Sequence, residues 1–356
     1  MEQLEQKKDN GVEVGIEIPK FLDLTLGEDS ESELPGQIAQ AENISYISKD
    51  VLESASFDSN FHWPAKLPEG FDPERLIEED KNPGLGVRSL HTEGITGEGI
   101  VVAIIDQNIA ATHVEFKDNL ISNREYQKGK IGNINDSTSM HGPAVASLFV
   151  GKTCGVAPGA ELYYVASDAM DEGYINYVKA LEDIIEYNKT HEPKVRVVSI
   201  SRGFKDKKWE QIKDKAEKLG ITVIDSKYFI DNLITGGGSK DNKDQFDDYD
   251  FDLWREGKSD FSWKERFGKG RLIIVPSDYR TMASRQGDSE YRHDAGGGWS
   301  WAIPYLSGVF TLALQVKSDL SSSDFLKIMR NTAGQNKNGF KVINPRGIIE
   351  AVKKLK

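Results

Sequence analysis

Cysteine is almost absent from this chain of 356 residues. The single cysteine, Cys154, excludes an internal disulfide framework. The first residues contain no apolar segment of the kind that a secretory signal peptide has. The longest apolar run, around residues 305–316, is too short to span a bilayer. We therefore expect a cytoplasmic protein with no membrane partner.

Basic residues are also fewer than acidic residues. The chain has 45 Lys and Arg against 57 Asp and Glu, which gives a formal net charge of −12. Binding to phosphate backbones needs clustered Lys and Arg, so nucleic acid is excluded as the main partner. Apolar residues, in contrast, make up 38% of the chain and include 15 Phe, 12 Tyr and 6 Trp. This composition is sufficient for a substantial core, in one large domain with an extension or in two domains.

The organisation of the chain changes near residue 85. Before it lie an acidic stretch at 27–33 and a turn-rich segment at 63–70, with little sustained periodicity. We interpret residues 1–84 as an acidic N-terminal extension, which acts either as a short propeptide or as an arm that occludes a cleft. Residues 85–356 are predicted to form the main domain.

Strands and helices alternate within residues 85–356. Continuous apolar runs, typical of strands buried on both faces, lie at 100–105, 160–165, 195–200, 221–224 and 271–275. Helical patterns fall at 141–150, 174–188 and 207–219. The alternation predicts an α/β fold with a central, mostly parallel sheet flanked by helices. In such sheets the functional residues gather at the carboxyl ends of the strands.

Three residues lie at positions where functional side chains are often found. One is at the carboxyl end of a strand, and two are at the start of a helix. Asp106 ends the first strong strand, and His141 begins a helix. Ser300 follows three glycines and begins an apolar helix that contains Pro304, a residue tolerated in a first turn. Each has an ordinary explanation when taken alone: a carboxylate that binds the next turn, an inert histidine and an N-capping serine.

Together the three residues supply a complete nucleophilic system. A serine hydroxyl becomes a nucleophile when a base such as neutral imidazole removes its proton. The imidazole in turn needs a carboxylate that fixes its tautomer and stabilises the imidazolium. The chain order Asp, His, Ser is that of subtilisin.

The residues around these three positions resemble the subtilisin-like serine proteases, the subtilases. Residues 97–106 resemble the strand that leads into the aspartate of that family. His141-Gly142, followed by residues 155–160, resembles the histidine helix and the Gly-Val-Ala-Pro turn after it. Ser300, Ala302, Pro304 and Gly308 match the serine helix, and the likeness spans about residues 85–350.

The resemblance implies a subtilisin-like three-layer fold and a serine endopeptidase that forms an acyl-enzyme intermediate. Ser300 would attack the scissile carbonyl of a peptide or protein substrate, His141 would transfer the proton, and Asp106 would orient His141. The chemistry requires no cofactor.

The resemblance also implies where the substrate binds. Ser201, Arg202 and Gly203 stand at the strand end that pairs with the substrate peptide as an added β-strand. Arg202 replaces an apolar residue of the family pattern, so it either favours an acidic or polar substrate side chain or faces solvent.

The oxyanion-binding asparagine of the family follows the strand that corresponds to residues 221–224, and no residue of this chain matches it cleanly. Asn232 is the nearest amide, and Ser226 has a hydroxyl that can donate. Loss of one such donor typically costs about 2.7–4 kcal/mol of transition-state stabilisation. We therefore name Asn232 and Ser226 as the two candidates for this role.

An insertion is predicted at about residues 231–270. It contains five closely spaced aspartates, at positions 244, 247, 248, 250 and 252. A structural calcium ion is one explanation, and a solvated acidic loop is the one we favour, because the glycine-anchored EF-hand spacing is absent.

Two other functions stay open at this stage. The missing asparagine and the altered His141-Gly142-Pro143 run are compatible with a pseudoprotease that keeps the fold and binds a peptide or partner. An unrelated α/β hydrolase of small molecules would use the same serine, but no Gly-x-Ser-x-Gly elbow surrounds Ser300.

Overall fold

The computed structural model describes residues 23–24, 38–127, 130–132, 139–167, 174–239, 242–251 and 270–355. Two larger sheets and one small sheet are formed by these residues. None of the helices in the described ranges is long and apolar enough to cross a membrane.

The central sheet has six strands in the order β4-β3-β5-β2-β6-β7. The strands are β2 (Val101–Asp106), β3 (Leu120–Gln127), β4 (Lys130–Gly132), β5 (Glu161–Ser167), β6 (Val195–Ser199) and β7 (Thr222–Ile224). All neighbours are parallel except β3 and β4. Five parallel strands therefore end at one edge of the sheet.

Two layers of helices cover this sheet. They are formed by α4 (His141–Val150) and α8 (Trp299–Val316) on one face, and by α5 (Tyr174–Tyr187) and α6 (Lys207–Lys218) on the other.

Strand β2 shows how the sequence produces the three layers. All six of its residues are buried. Alternate side chains point to opposite faces of a sheet, so Val102 and Ile104 join the core with α4 and α8, while Val101, Ala103 and Ile105 pack with α5 and α6. A continuous apolar run is what a strand covered on both faces requires.

A second sheet has the order β13-β14-β10-β8-β9. Its strands are β8 (Ile234–Gly238), β9 (Asp250–Phe251), β10 (Ile273–Pro276), β13 (Gly334–Gln335) and β14 (Lys341–Val342). Three further helices of the described residues are α7 (Ser226–Asp231), α9 (Ser322–Thr332) and α10 (Pro345–Val352). The region predicted as an insertion thus begins with β8, which pairs in parallel with β10.

The described residues of the predicted N-terminal extension have a small core of their own, which includes Leu24, Phe57 and Ile77. Its elements are α1 (Lys49–Glu53), β1 (Phe57–Asp58) and α2 (Pro73–Asp80), and α3 (Val87–Thr92) follows them. A three-stranded sheet joins this region to the main domain. In it β1 pairs antiparallel with β12 (Tyr291–Asp294), which also pairs with β11 (Arg280–Ala283).

Local predictions agree with these bounds. The helix predicted over 141–150 is α4, and the five predicted strands correspond to β2, β5, β6, β7 and β10. The predicted fold class, a subtilisin-like three-layer α/β fold with a central, mostly parallel sheet flanked by helices, is confirmed.

Candidate active site

Asp106 occupies the carboxyl end of β2, in the middle of the central sheet. The residue is 4% exposed. Its Oδ1 accepts a hydrogen bond from Nδ1 of His141 over 2.6 Å and another from the backbone N–H of Gln107 over 2.8 Å. The carboxylate is therefore fixed by its own turn and directed at the imidazole.

His141 is the first residue of α4, and the turn around it is closely packed. A Cβ atom at Gly142 would lie 2.4 Å from the carbonyl oxygens of Gln107 and Asn108, so only glycine fits there. Ser139 bridges the same turn, since its hydroxyl donates to the carbonyl of Asn108 and accepts from the N–H of Gly142. These contacts hold the start of α4 against the loop that follows Asp106.

The electrostatics of His141 suit a general base. With Nδ1 donating to Asp106, the neutral ring keeps Nε2 as its acceptor nitrogen. Burial alone would lower the pKa of His141, but the charge of Asp106 and its hydrogen bond outweigh this effect and raise the pKa above 6.5. The carboxylate therefore stabilises the imidazolium form.

Ser300 lies in the first turn of α8, directly after Gly298 and Trp299. Gly298 has a φ of 138°, a left-handed conformation that favours glycine, and this lets the chain enter the helix. Among the described contacts no hydrogen bond joins the Ser300 hydroxyl to His141. Of the three predicted triad residues, the described part of the structure thus joins Asp106 to His141 by a hydrogen bond and shows none between His141 and Ser300.

Trp301 connects the serine helix to the histidine. Its indole ring lies 5.2 Å from the imidazole of His141, at an interplanar angle of 33°. The residue is 5% exposed and belongs to the core beneath the site. The indole is thus a core residue that also contacts the imidazole.

The predicted substrate segment lies beside the serine. The Ser201 hydroxyl donates to the backbone carbonyl of Ser300 over 2.9 Å. Arg202 is exposed, with its guanidinium 5.5 Å from the ring of Phe204, and Gly203 is exposed as well. The structure therefore brings this segment to the start of α8, at the edge where β6 ends.

The two oxyanion candidates occupy opposite ends of α7. The backbone N–H of Ser226 donates to the carbonyl of Arg202 over 3.3 Å, so Ser226 lies against the substrate segment. Asn232 follows the last turn of α7, and its side-chain amide donates to the carbonyl of Tyr228 over 2.9 Å. Only Ser226 is thus in contact with the predicted substrate segment.

Asp225, which directly follows β7, is a structural feature that sequence reasoning did not single out. Its buried carboxylate accepts from the N–H of Tyr228, from Nε1 of Trp209 and from Nζ of Lys213, over 2.7–3.1 Å. It therefore caps α7 and ties β7 to α6. The signal available in the sequence was an aspartate after an apolar strand, the same signal that Asp106 gave.

The acidic loop is described only in part, and Asp252 lies outside the described residues. Asp244 accepts from the N–H of Gly86, and Asp250 accepts from the amide of Asn338. No group of three or more His, Cys, Asp or Glu side chains arranged for a metal ion occurs in the described ranges. The favoured explanation of this loop, a solvated acidic segment, stays a prediction.

Comparison with known proteins identifies the fold and the family likeness. Residues 97–227 match the model of the subtilase family. Subtilisin-like protease 2 of Trichophyton rubrum is 26% identical over 234 residues, which cover 62% of this chain and 51% of that protein. The protein of the same name from Arthroderma benhamiae is 30% identical over 240 residues, with 62% and 52% coverage. The chain spans about half the length of these curated relatives.

Solved structures show the same fold at low identity. A PatG macrocyclase in complex with peptide superposes with a TM-score of 0.55 at 13% identity, covering 75% of this chain and 95% of that one. The A-subunit of the AB5 toxin from E. coli superposes with a TM-score of 0.53 at 15% identity, covering 76% and 98%. The resemblance to subtilisin-like serine proteases is confirmed, and it supports a serine protease function in general.

Proposed function

We propose that this protein is a serine endopeptidase in which Asp106, His141 and Ser300 form the catalytic triad. The observation that carries the proposal is the 2.6 Å hydrogen bond between Asp106 and Nδ1 of His141. This bond holds the imidazole in the tautomer that can accept a proton and stabilises the charge that results. The matches to the subtilase family support the same assignment.

The reaction follows from these roles. The Ser300 hydroxyl attacks the scissile carbonyl as Nε2 of His141 takes its proton, and the imidazolium then protonates the leaving amine. The product is an acyl-enzyme, which water hydrolyses with His141 again acting as the base. No cofactor takes part in this sequence.

The oxyanion is assigned to two donors. One is the backbone N–H of Ser300, which is unpaired within the first turn of α8 and reinforced by the helix dipole. The other is the hydroxyl of Ser226, and the hydrogen bond from the backbone N–H of Ser226 to the carbonyl of Arg202 supports this choice. The substrate peptide pairs with Ser201, Arg202 and Gly203 as an added strand.

The test is covalent labelling of the nucleophile. Wild-type protein and the Ser300→Ala variant are incubated with a fluorophosphonate and assayed for casein hydrolysis. We expect labelling and hydrolysis in the wild type and neither in the variant. Ser307→Ala is the matched control, because the Ser307 hydroxyl is buried in α8 and donates to the carbonyl of Ile303.

Two results would contradict the proposal. Labelling that persists in Ser300→Ala would show another nucleophile. A folded wild type that neither labels nor hydrolyses casein, in full-length form and after removal of the extension, would favour the pseudoprotease. The specific observation behind that alternative is that the position after β7, where the family has its asparagine, is held by Asp225 as a helix cap.

A further inference from the structure

Asp294 is a buried carboxylate that lies just ahead of the proposed nucleophile in the chain. It is the last residue of β12 and is 6% exposed. Its Oδ1 accepts hydrogen bonds from the backbone N–H groups of Gly296 and Gly297, over 2.9 and 3.1 Å. One carboxylate oxygen therefore binds two consecutive residues of the loop that leads into α8.

This loop consists of three glycines, at positions 296–298. The packing explains why glycine is needed at position 297. Gly297 has a φ of 62°, and a Cβ atom there would lie 1.6 Å from Oδ1 of Asp278. Glycine also leaves the backbone more conformational freedom than any other residue does. Such a loop is held in a single conformation only when other groups fix it.

The loop determines where Ser300 lies. The carbonyl of Gly298 accepts from the N–H groups of Trp301 and Ala302 and so forms the first turn of α8. Ser300 lies within that turn, and its hydroxyl and backbone N–H are the groups assigned above to attack and to oxyanion binding. A displacement of the loop would therefore move both groups. A misplacement of about 1 Å in such a geometry can cost about 10²-fold in rate.

Asp294 is itself held on a rigid element. Nη2 of Arg292 lies 3.3 Å from its Oδ2, so each oxygen of the carboxylate has a donor. Strand β12 pairs with β11 on one side and with β1 on the other. Hydrogen bonds to an ionised carboxylate are stronger than those between neutral groups. The end of β12 thus provides a fixed anchor for the glycine loop.

We propose that Asp294 is a positioning residue of the protease. Its carboxylate fixes the loop at 296–298 and so holds the hydroxyl and the N–H of Ser300 in the geometry that catalysis needs. Asp294 acts through the loop and takes no part in bond making or proton transfer. This inference rests on the proposed function, because it assigns Asp294 to the nucleophile of that reaction.

The experiment compares the Asp294→Ala variant of the full chain with the wild type. It measures steady-state hydrolysis of casein, the rate of fluorophosphonate labelling, and hydrogen exchange of residues 295–300 by mass spectrometry. We expect kcat and the labelling rate to fall by about 10²-fold, because the nucleophile is misplaced. KM should change little, since the substrate is proposed to pair with residues 201–203. Exchange at 295–300 should become faster, because two N–H groups have lost their acceptor.

Asp294→Asn is the conservative variant. An asparagine side chain keeps an oxygen that can accept from the N–H groups of Gly296 and Gly297, and it loses the charge that Arg292 binds. We therefore expect Asp294→Asn to restore most of the kcat and most of the slow exchange that Asp294→Ala loses.

Asn336→Ala is the matched control for a role in stability alone. Asn336 is 4% exposed and lies between β13 and β14. Its Oδ1 also accepts from two backbone N–H groups, those of Asn338 and Phe340, over 3.0 and 2.9 Å. This variant thus removes the same kind of acceptor from another loop. We expect a lower urea midpoint, with wild-type kcat and with wild-type exchange at 295–300.

Three results would overturn the inference and leave the proposed function intact. They are labelling of Asp294→Ala at the wild-type rate, unchanged exchange of residues 295–300 in that variant, and an equal loss of kcat in Asn336→Ala. A folded wild type that neither labels nor hydrolyses casein would instead refute the proposed function and the catalytic part of this inference. The exchange measurement would then still decide whether Asp294 fixes the loop.

Should Asp294→Ala fail to fold, the wild type gives the answer. The amides of Gly296 and Gly297 should exchange slowly in it, because both donate to the Asp294 carboxylate. Exchange of these amides at the rate of an unstructured peptide would refute the two hydrogen bonds on which the inference depends.

Discussion

Two strands of the central sheet, β2 and β7, end in the same way and serve different purposes. Each is an apolar run followed at once by a buried aspartate, Asp106 in one case and Asp225 in the other. Asp106 binds the imidazole of His141, whereas Asp225 binds Lys213, Trp209 and the first turn of α7. The same residue in the same topological position is a candidate catalytic group or a structural anchor according to the donors around it.

The substitutions Asp106→Asn and Asp225→Asn give the strongest test of the difference between these two aspartates. Replacing the triad aspartate by asparagine leaves the histidine in the wrong tautomer, which costs about 10⁴-fold in kcat in serine proteases. We expect a loss of this size in Asp106→Asn with little change in unfolding free energy. Steady-state hydrolysis measures kcat, and urea unfolding measures the free energy of unfolding. A fall of less than tenfold would show that Asp106 does not orient the base.

Asp225→Asn should show the opposite profile. Lys213 is 16% exposed and its ammonium lies 2.8 Å from the carboxylate, so the substitution leaves a largely buried charge without its partner. Breaking a buried pair in this way typically destabilises a protein by about 3–5 kcal/mol. We expect a loss in this range by urea unfolding, with kcat reduced far less than in Asp106→Asn. A stable and inactive variant would place Asp225 in the catalytic machinery.

The two oxyanion candidates, Ser226 and Asn232 at opposite ends of α7, can be distinguished in the same way. Removal of one side-chain donor from an oxyanion site costs about 10²–10³-fold in kcat. We expect Ser226→Ala to show such a loss with KM little changed, and Asn232→Ala to keep wild-type kcat because its amide is bound to Tyr228. The reverse result would move the oxyanion site to the other end of the helix.

The smallest expected effect concerns the pH dependence. His141 must be neutral to act as a base, and Asp106 raises its pKa, so the acidic limb of kcat/KM should lie above pH 6.5 and activity should rise through it. We expect the ring of Trp301, 5.2 Å from the imidazole, to favour the imidazolium as well, by roughly 0.5–1 kcal/mol for a cation–π contact. Trp301→Met should therefore move the limb to lower pH, by about half a unit.

Trp299→Met is the control for this last measurement, because Trp299 packs on Phe229 with ring centroids 6.3 Å apart. The acidic limb of the kcat/KM profile of Trp299→Met should stay at the wild-type pH. A limb that shifts equally in both variants, or upward in Trp301→Met, would contradict a direct role of the Trp301 ring.

The parts of the fold that sequence predicted are those with a strong local signal. The apolar run at 100–105 corresponds to strand β2, and α4 begins and ends at the residues that were predicted. The positions of Asp106, His141 and Ser300 at element ends followed from the same patterns. Their identification as one site depended on the family resemblance, since no local pattern reports which strand end faces which helix.

Strand β8 was not predicted because its sequence, Ile-Thr-Gly-Gly-Gly, is typical of a turn. The structure explains the glycines by the close approach of other backbone and side-chain atoms. A Cβ atom at Gly237 would lie 2.0 Å from the carbonyl of Asp250, and one at Gly238 would lie 2.3 Å from the Cβ of Asp278. The constraint comes from residues that are distant in the sequence, so no local pattern reports it.

The pairing of β1 with β12 has a consequence for how the molecule is made. Ser59, next to β1, and Glu290, next to β12, are hydrogen-bonded although 231 residues separate them. Contacts between such remote segments form late, because a long loop must be closed before they contribute. During synthesis the small sheet can therefore be completed only after the chain has been made as far as Asp294. Ser300, the proposed nucleophile, lies six residues beyond β12 and is therefore synthesised only after all three strands of this sheet.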